Sequence, residues 1–114
     1  MSGYKKKQNR FPPFIPIFRD MLKSKSWENL TNASRVAYIH LKAKCVSSNP
    51  GELTLSYAEM ERIMRRETFS TALKQLETTG FIVRTQRGGL FRRRNFFQLS
   101  EGWKNHEAST KKRT

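Results

Sequence analysis

Five arginines, Arg84, Arg87, Arg92, Arg93 and Arg94, lie in a stretch with no acidic residue between Glu77 and Glu101. A guanidinium is planar, permanently charged and fork-shaped, so it meets a phosphate through two parallel hydrogen bonds. Arginines unrelieved by carboxylates favour that chemistry. The plainer reading is a solvated edge strand kept from aggregating by charge, a task lysine and glutamate would serve as well. Just upstream, Ser70, Thr71, Lys74, Gln75 and Thr78 fall on one face of a helical period, and Phe69, Ala72, Leu73 and Leu76 on the other. The first set has little bulk and many hydrogen-bonding groups, which suits approach to base edges or to the phosphates beside them. Arg65 and Arg66 precede this helix and would reach phosphates.

Catalytic chemistry finds no comparable set. The chain has one cysteine, Cys45, and two histidines, His40 and His106, without ligand spacing. It has no phosphate-cradling glycine loop and no inward pair of carboxylates. Ser56 and Ser70 have helix explanations. Asp20 and Glu28 have no third metal-binding residue beside them. The expectation is a protein that is not an enzyme and uses no metal or cofactor.

The elements that position these residues follow from punctuation and periodicity. Residues 1–10 read as a basic flexible arm, 11–103 as one domain and 104–114 as a basic disordered tail. Phe11-Pro-Pro-Phe-Ile-Pro-Ile-Phe is extended, because each proline disfavours helix at the preceding residue. It either packs along the body or meets a second subunit, so a homodimer is left open. Arg19 to Leu30 predicts one or two short helical turns anchored by Met21, Leu22, Trp27 and Leu30. Thr31 or Asn32 then caps a helix over about Ala33 to Val46. That helix carries two apolar stripes, Ala37, Tyr38, Leu41 and Cys45, and Val36, Ile39 and Val46. Two stripes predict a helix sandwiched between the core and the N-terminal segment. After the Ser47-Ser-Asn-Pro-Gly51 turn cluster, Leu53-Thr-Leu55 predicts a short strand. Ser56-Tyr-Ala-Glu59 is a capping box opening a second helix to Ile63 or Met64, with Tyr57, Met60 and Ile63 inward. Thr68 is the expected cap of the third helix and Gly80 its left-handed terminator. Glu67 is read as sitting at the positive end of that helix. Phe81 to Gln86 and Phe96 to Leu99 alternate as two strands around a Gly88-Gly89 turn. Alternation sends Arg92 and Arg94 to one face of this ribbon and Arg93 to the other. Trp103 closes the core.

The order of helix, helix, third helix, then Leu76-Glu-x-x-Gly80-Phe81-Ile82 entering a strand, resembles winged helix-turn-helix proteins. More narrowly, the chain is similar to small winged-helix proteins of bacterial genomes and mobile elements, related to plasmid and phage replication or regulatory proteins. The matched positions are Met21-Leu22-x-Ser24-x-x-Trp27-x-x-Leu30-x-x-Ala33, Leu55-Ser-Tyr57 and Thr68-Phe69-Ser70-x-Ala72-Leu73-x-x-Leu76. They continue with Gly80-Phe81-Ile82, Gly88-Gly89-Leu90-Phe91, Asn95-x-Phe97-x-Leu99-Ser100 and Trp103. One departure falls at the link between the second and third helices, which is short and lacks glycine. It bears on where the third helix begins. The resemblance covers about Phe18 to Trp103 and implies an α+β winged helix-turn-helix with a three-helix core and a C-terminal hairpin wing. It implies duplex DNA binding, in a transcriptional or a replication and maintenance role. The third helix, with Arg65, Arg66, Thr68, Ser70, Thr71, Lys74 and Gln75, would be the reader. The wing, with Arg84, Arg87, Arg92, Arg93 and Arg94, would hold the backbone.

Bulk properties agree with that expectation. In 114 residues the formal net charge is +14, which calls for a polyanionic partner. Lys5, Lys6, Lys7 and Arg10 make the arm a further, lesser DNA candidate. Lys111, Lys112 and Arg113 close the chain in the same sense. No long basic amphipathic helix and no membrane-length apolar run is present, so a membrane partner is not expected. Pro12, Pro13 and Pro16 interrupt any apolar signal-peptide core, and a single cysteine suits a reducing cytoplasm. A bacterial protein of this kind would associate with the nucleoid. Winged helices also bind RNA or proteins. An RNA-binding protein with Phe91, Phe96 or Phe97 stacking on unpaired bases, and an adaptor for an acidic protein, are the alternatives.

Overall fold

The computed structural model describes residues 13–45, 51–86 and 95–104. The two short N-terminal turns form as expected, as α1 (Arg19–Leu22) and α2 (Lys25–Glu28). Ser24 caps α2 by accepting from the Trp27 amide. Met21, Trp27 and Leu30 are buried, but Leu22 is 45% exposed rather than an anchor. Met21 is the buried residue of α1.

Thr31 caps α3 (Asn32–Lys42) by accepting from the Ser34 amide. Arg35 donates to the Trp27 and Glu28 carbonyl oxygens and so ties α3 to the open end of α2. Ala37, Tyr38 and Leu41 are buried as the first stripe requires. The second stripe does not make a sandwich. Val36 is half-buried and Ile39 is exposed, and Val46 falls outside the described residues; Cys45, the last member of the first stripe, lies exposed past the helix end. The described residues of the N-terminal segment do not cover this face. Phe14 and Phe18 are 75% and 59% exposed. Among the described residues of that segment only Ile17 packs on the core, while Lys42 reaches over the Phe18 ring at 4.8 Å.

The capping box is present at the start of α4 (Tyr57–Met60), with Ser56 and Glu59 each bonded to the other's backbone amide. The helix stops a turn short of the expected end, and residues 61–64 continue as turns. Met60 is therefore inward, while Tyr57 and Ile63 are exposed, against expectation. Leu53 makes one antiparallel bridge to Phe97 where a strand was expected.

The longest element is α5 (Arg66–Thr78), which buries Phe69, Ala72, Leu73 and Leu76. It ends at Gly80, with φ 88°. The Gly80 amide donates to the Glu77 carbonyl and the Phe81 amide to that of Leu76, which satisfies two of the helix's last carbonyls. The chain then enters β1 (Ile82–Gln86), antiparallel to β2 (Phe96–Leu99), with Ile82 opposite Leu99 and Arg84 opposite Phe97. These four share the inner face. Val83 points outward and is exposed. Phe81 is buried as part of the turn, so the in-and-out alternation begins at Ile82.

Phe81 is the hub of the core. Trp27 and Tyr38 meet it edge-on, and Trp103 stacks on it at 5.9 Å. The Trp103 amide donates to the Gly80 carbonyl, and the Trp103 carbonyl accepts from the buried Ser26 hydroxyl. The C-terminal end of the described chain is thus fastened both to the α5 turn and to α2. The architecture is α+β.

Candidate nucleic-acid interface

Helix α5 begins two residues before the expected cap. Arg65 is its extended N-cap residue, with φ −70° and ψ 158°, and offers no side-chain cap bond. Thr68 is consequently inside the first turn and does not cap. Glu67, also in that turn, stands at the positive end of the helix as expected. Along the outer face Thr68, Ser70, Thr71, Lys74 and Thr78 are exposed, as are Arg65 and Arg66 at its start. This leaves Ser70, Thr71, Lys74 and Thr78 on the side of the helix opposite the core, with Arg65, Arg66 and Thr68 around its start.

Tyr57 belongs beside this face and was not among the expected site residues. It is 43% exposed, meets Phe69 edge-on at 5.5 Å, and carries the Arg66 guanidinium 4.5 Å above its ring. Cation–π contact of that kind limits the freedom of a long side chain while leaving its N–H fork available. The signal that pointed elsewhere was the spacing of Tyr57, Met60 and Ile63, which holds only if α4 continues past Met60.

Two expected contact residues are occupied inside the protein. The Gln75 carbonyl oxygen accepts from the Thr31 amide at 3.0 Å and from the Ser34 hydroxyl at 2.5 Å. Gln75 is half-buried and joins α5 to the first turn of α3, so its oxygen is not open to a base. Arg84 donates through Nε to a Glu77 carboxylate oxygen at 2.7 Å and lies 5.1 Å from the Phe97 ring centre. Because it is on the inner face of β1, it links the ribbon to α5 instead of projecting outward. The remaining expected residues, Arg87, Arg92, Arg93 and Arg94 of the ribbon and Lys5, Lys6, Lys7 and Arg10 of the arm, lie outside the described residues.

Electrostatics follow the same division. Lys44 pairs with Glu59, Arg84 with Glu77 and Lys104 with Glu101. Arg65, Arg66 and Lys74 form none of the ion pairs found among the described residues. The Lys44 side-chain bond, and then the Ser56 amide, hold the Glu59 carboxyl below the usual carboxylate range. Among the described residues no helix is long and apolar enough to cross a membrane.

No protein-family model and no curated protein sequence matches the chain. Among solved structures it is similar to one described as the "N-terminal domain of DNA binding protein", with a TM-score of 0.53 and 19% sequence identity. The match covers 94% of this chain and 98% of that one. At this identity the likeness is one of fold.

Proposed function

We propose that the protein binds duplex DNA with a sequence preference, as a transcriptional regulator or a replication or maintenance factor. In this reading α3, α4 and α5 are the three-helix core of a winged helix-turn-helix, and the β1–β2 ribbon is its wing. The observation that carries it is the outer face of α5. Ser70, Thr71 and Lys74 are exposed on a helix held from behind by Phe69, Ala72, Leu73 and Leu76. A major groove about 12 Å wide admits such a helix and presents hydrogen-bonding base edges to it. Arg65 and Arg66 stand where the flanking phosphates would run. Arg87, Arg92, Arg93 and Arg94 join them on sequence grounds. The similar solved domain, described as part of a DNA-binding protein, supports the same assignment.

Gln75 and Arg84 become lesser candidates, because the Gln75 carbonyl oxygen and the Arg84 Nε are bonded within the protein. Thr68 stays at the edge of the contact set, exposed in the first turn. Among the described residues the stacking platform that an RNA reading requires is weak: Phe97 is fully buried and Phe96 half-buried, while Phe91 lies outside the described residues.

The test is fluorescence anisotropy with a duplex DNA, a single-stranded DNA and an RNA of equal length, each at low and physiological salt. Duplex binding that survives physiological salt is expected. Equal binding to all three that vanishes with salt would refute the proposal, since generic charge would then suffice.

A further inference from the structure

Gln75 was placed by its spacing among the reading residues, yet its carbonyl oxygen faces a cluster of donors on another helix. A carbonyl oxygen accepts two hydrogen bonds, and these come from the Thr31 amide and the Ser34 hydroxyl. The Thr31 hydroxyl donates to the Ser34 oxygen at 3.1 Å and accepts from the Ser34 amide at 3.1 Å. In this arrangement each hydroxyl donates once and accepts once; the Gln75 oxygen at 3.3 Å from the Thr31 hydroxyl and the Ala72 carbonyl oxygen at 3.4 Å from the Ser34 hydroxyl are alternative, longer acceptors. The donors also fix which way the carboxamide is turned, since its NH₂ group in that place would face two other donors. The ring of bonds spans the N-cap of α3 and the middle of α5, between residues 41 and 44 positions apart in the chain. Ser34 is fully buried, beyond the reach of any DNA.

We infer that Gln75 is a positioning residue for the reader helix: through Thr31 and Ser34 it sets the rotation and depth of α5, and so which base edges Ser70, Thr71 and Lys74 meet. This rests on the duplex-binding reading above. One helix turn before Gln75 lies Thr71, and Lys74 is adjacent, so a small rotation at the clamp moves both. Hydrogen bonds to base edges tolerate little misplacement, whereas bonds to phosphates tolerate more. Loss of the clamp therefore acts on preference before it acts on overall affinity.

The test uses the full chain and two probes, a duplex selected from a random-sequence pool and a scrambled duplex of the same composition. Gln75→Met removes the acceptor at similar length. Gln75→Glu keeps the acceptor but removes the NH₂ donor that a glutamine bonding adenine must have. Ser34→Ala removes a clamp donor that DNA cannot touch. The expected result is that Gln75→Met and Ser34→Ala each lower the ratio of selected to scrambled affinity by about tenfold, the size of one lost base contact. The double variant should be no worse than either single one. Gln75→Glu should keep the ratio, although its charge weakens both affinities alike. If Gln75→Glu loses the ratio as Gln75→Met does while Ser34→Ala keeps it, Gln75 reads bases and the inference is wrong. It is equally wrong if all three variants keep the ratio. Should Ser34→Ala fail to fold, the comparison of the two Gln75 variants decides alone. A wild-type protein without duplex preference removes the function and the positioning role together, a result visible before any variant is measured.

Discussion

Arg84→Ala separates a joint from a phosphate contact. Its side chain and that of Glu77 are 21% and 24% exposed, with 2.7 Å between the bonded atoms. A charge-assisted bond at that depth lies between the exposed and the buried limits, at about 1–2 kcal/mol. The position over Phe97 adds about 0.5 kcal/mol. The variant should then lose about 2 kcal/mol, which in a domain of this size lowers Tm by about 10 °C. Duplex affinity should fall somewhat for every sequence, because the ribbon is less firmly attached to α5. The slope of log affinity against log salt, however, should match wild type, since no phosphate contact is lost. Arg66→Ala is the comparator and should flatten that slope by about one unit with little change in Tm. Anisotropy titrations between about 50 and 200 mM salt give the slope, and thermal unfolding followed by circular dichroism gives Tm. An Arg84→Ala protein with unchanged Tm and a slope flattened by one unit would refute the reasoning: the guanidinium would then belong to DNA and not to Glu77.

Other perturbations test other parts of the account. Gly80→Ala forces a Cβ onto a φ of 88° and within 2.5 Å of the Gly102 carbonyl carbon; the left-handed conformation alone costs about 1–2 kcal/mol, and with the overlap the loss in denaturant unfolding should pass about 3 kcal/mol. A loss below about 1 kcal/mol would mean the turn is not built this way. Because Lys44 and the Ser56 amide depress the Glu59 pKa, the stability that Glu59 contributes should be complete above its unfolded pKa and vanish as pH falls through its folded value. Unfolding free energies of wild type and Glu59→Gln should therefore differ at neutral pH and converge in acid, and a gap that persists in acid would count against the assignment. Lys74→Ala should narrow the gap between selected and scrambled duplexes by about 1–3 kcal/mol if a base contact is lost. Equal weakening of both, with a flatter salt slope, would move Lys74 to the phosphates.

What was legible in the sequence is what acts over a few residues. The Thr31 cap, the Ser56–Glu59 box and the Gly80 terminator all bond within about one helical turn, and each is where its residue type demands. The buried face of α5 followed from spacing alone, and Trp103 from being the last large apolar group before a polar run. The misplacements have two causes. Tyr57 and Ile63 were set inward on a period that presumes α4 continues, and it stops at Met60. Gln75 and Arg84 were set outward because they are polar, and a polar side chain facing a neighbouring element has the same spacing as one facing solvent. Their partners, Thr31 and Ser34 for one and Glu77 and Phe97 for the other, are fixed by tertiary packing that periodicity does not encode.

These two displaced residues give α5 an uneven character along its length. From Gln75 onward its polar groups are committed: Gln75 to α3, Glu77 to Arg84, and the last carbonyls to the Gly80 turn. Before Gln75, Ser70, Thr71 and Lys74 are exposed and Arg66 rests on an exposed tyrosine. A helix committed throughout would have nothing to offer a groove. One exposed throughout would be free to rotate, and each base contact would first have to overcome that freedom. Under the proposed duplex-binding reading, anchoring the C-terminal half would remove the rotation before DNA arrives and leave the N-terminal half to form the contacts. Preorganisation of this kind lowers the ordering cost of each contact, and because bonds to base edges are the most sensitive to placement, the selected-to-scrambled ratio is the quantity that tests the proposed reading.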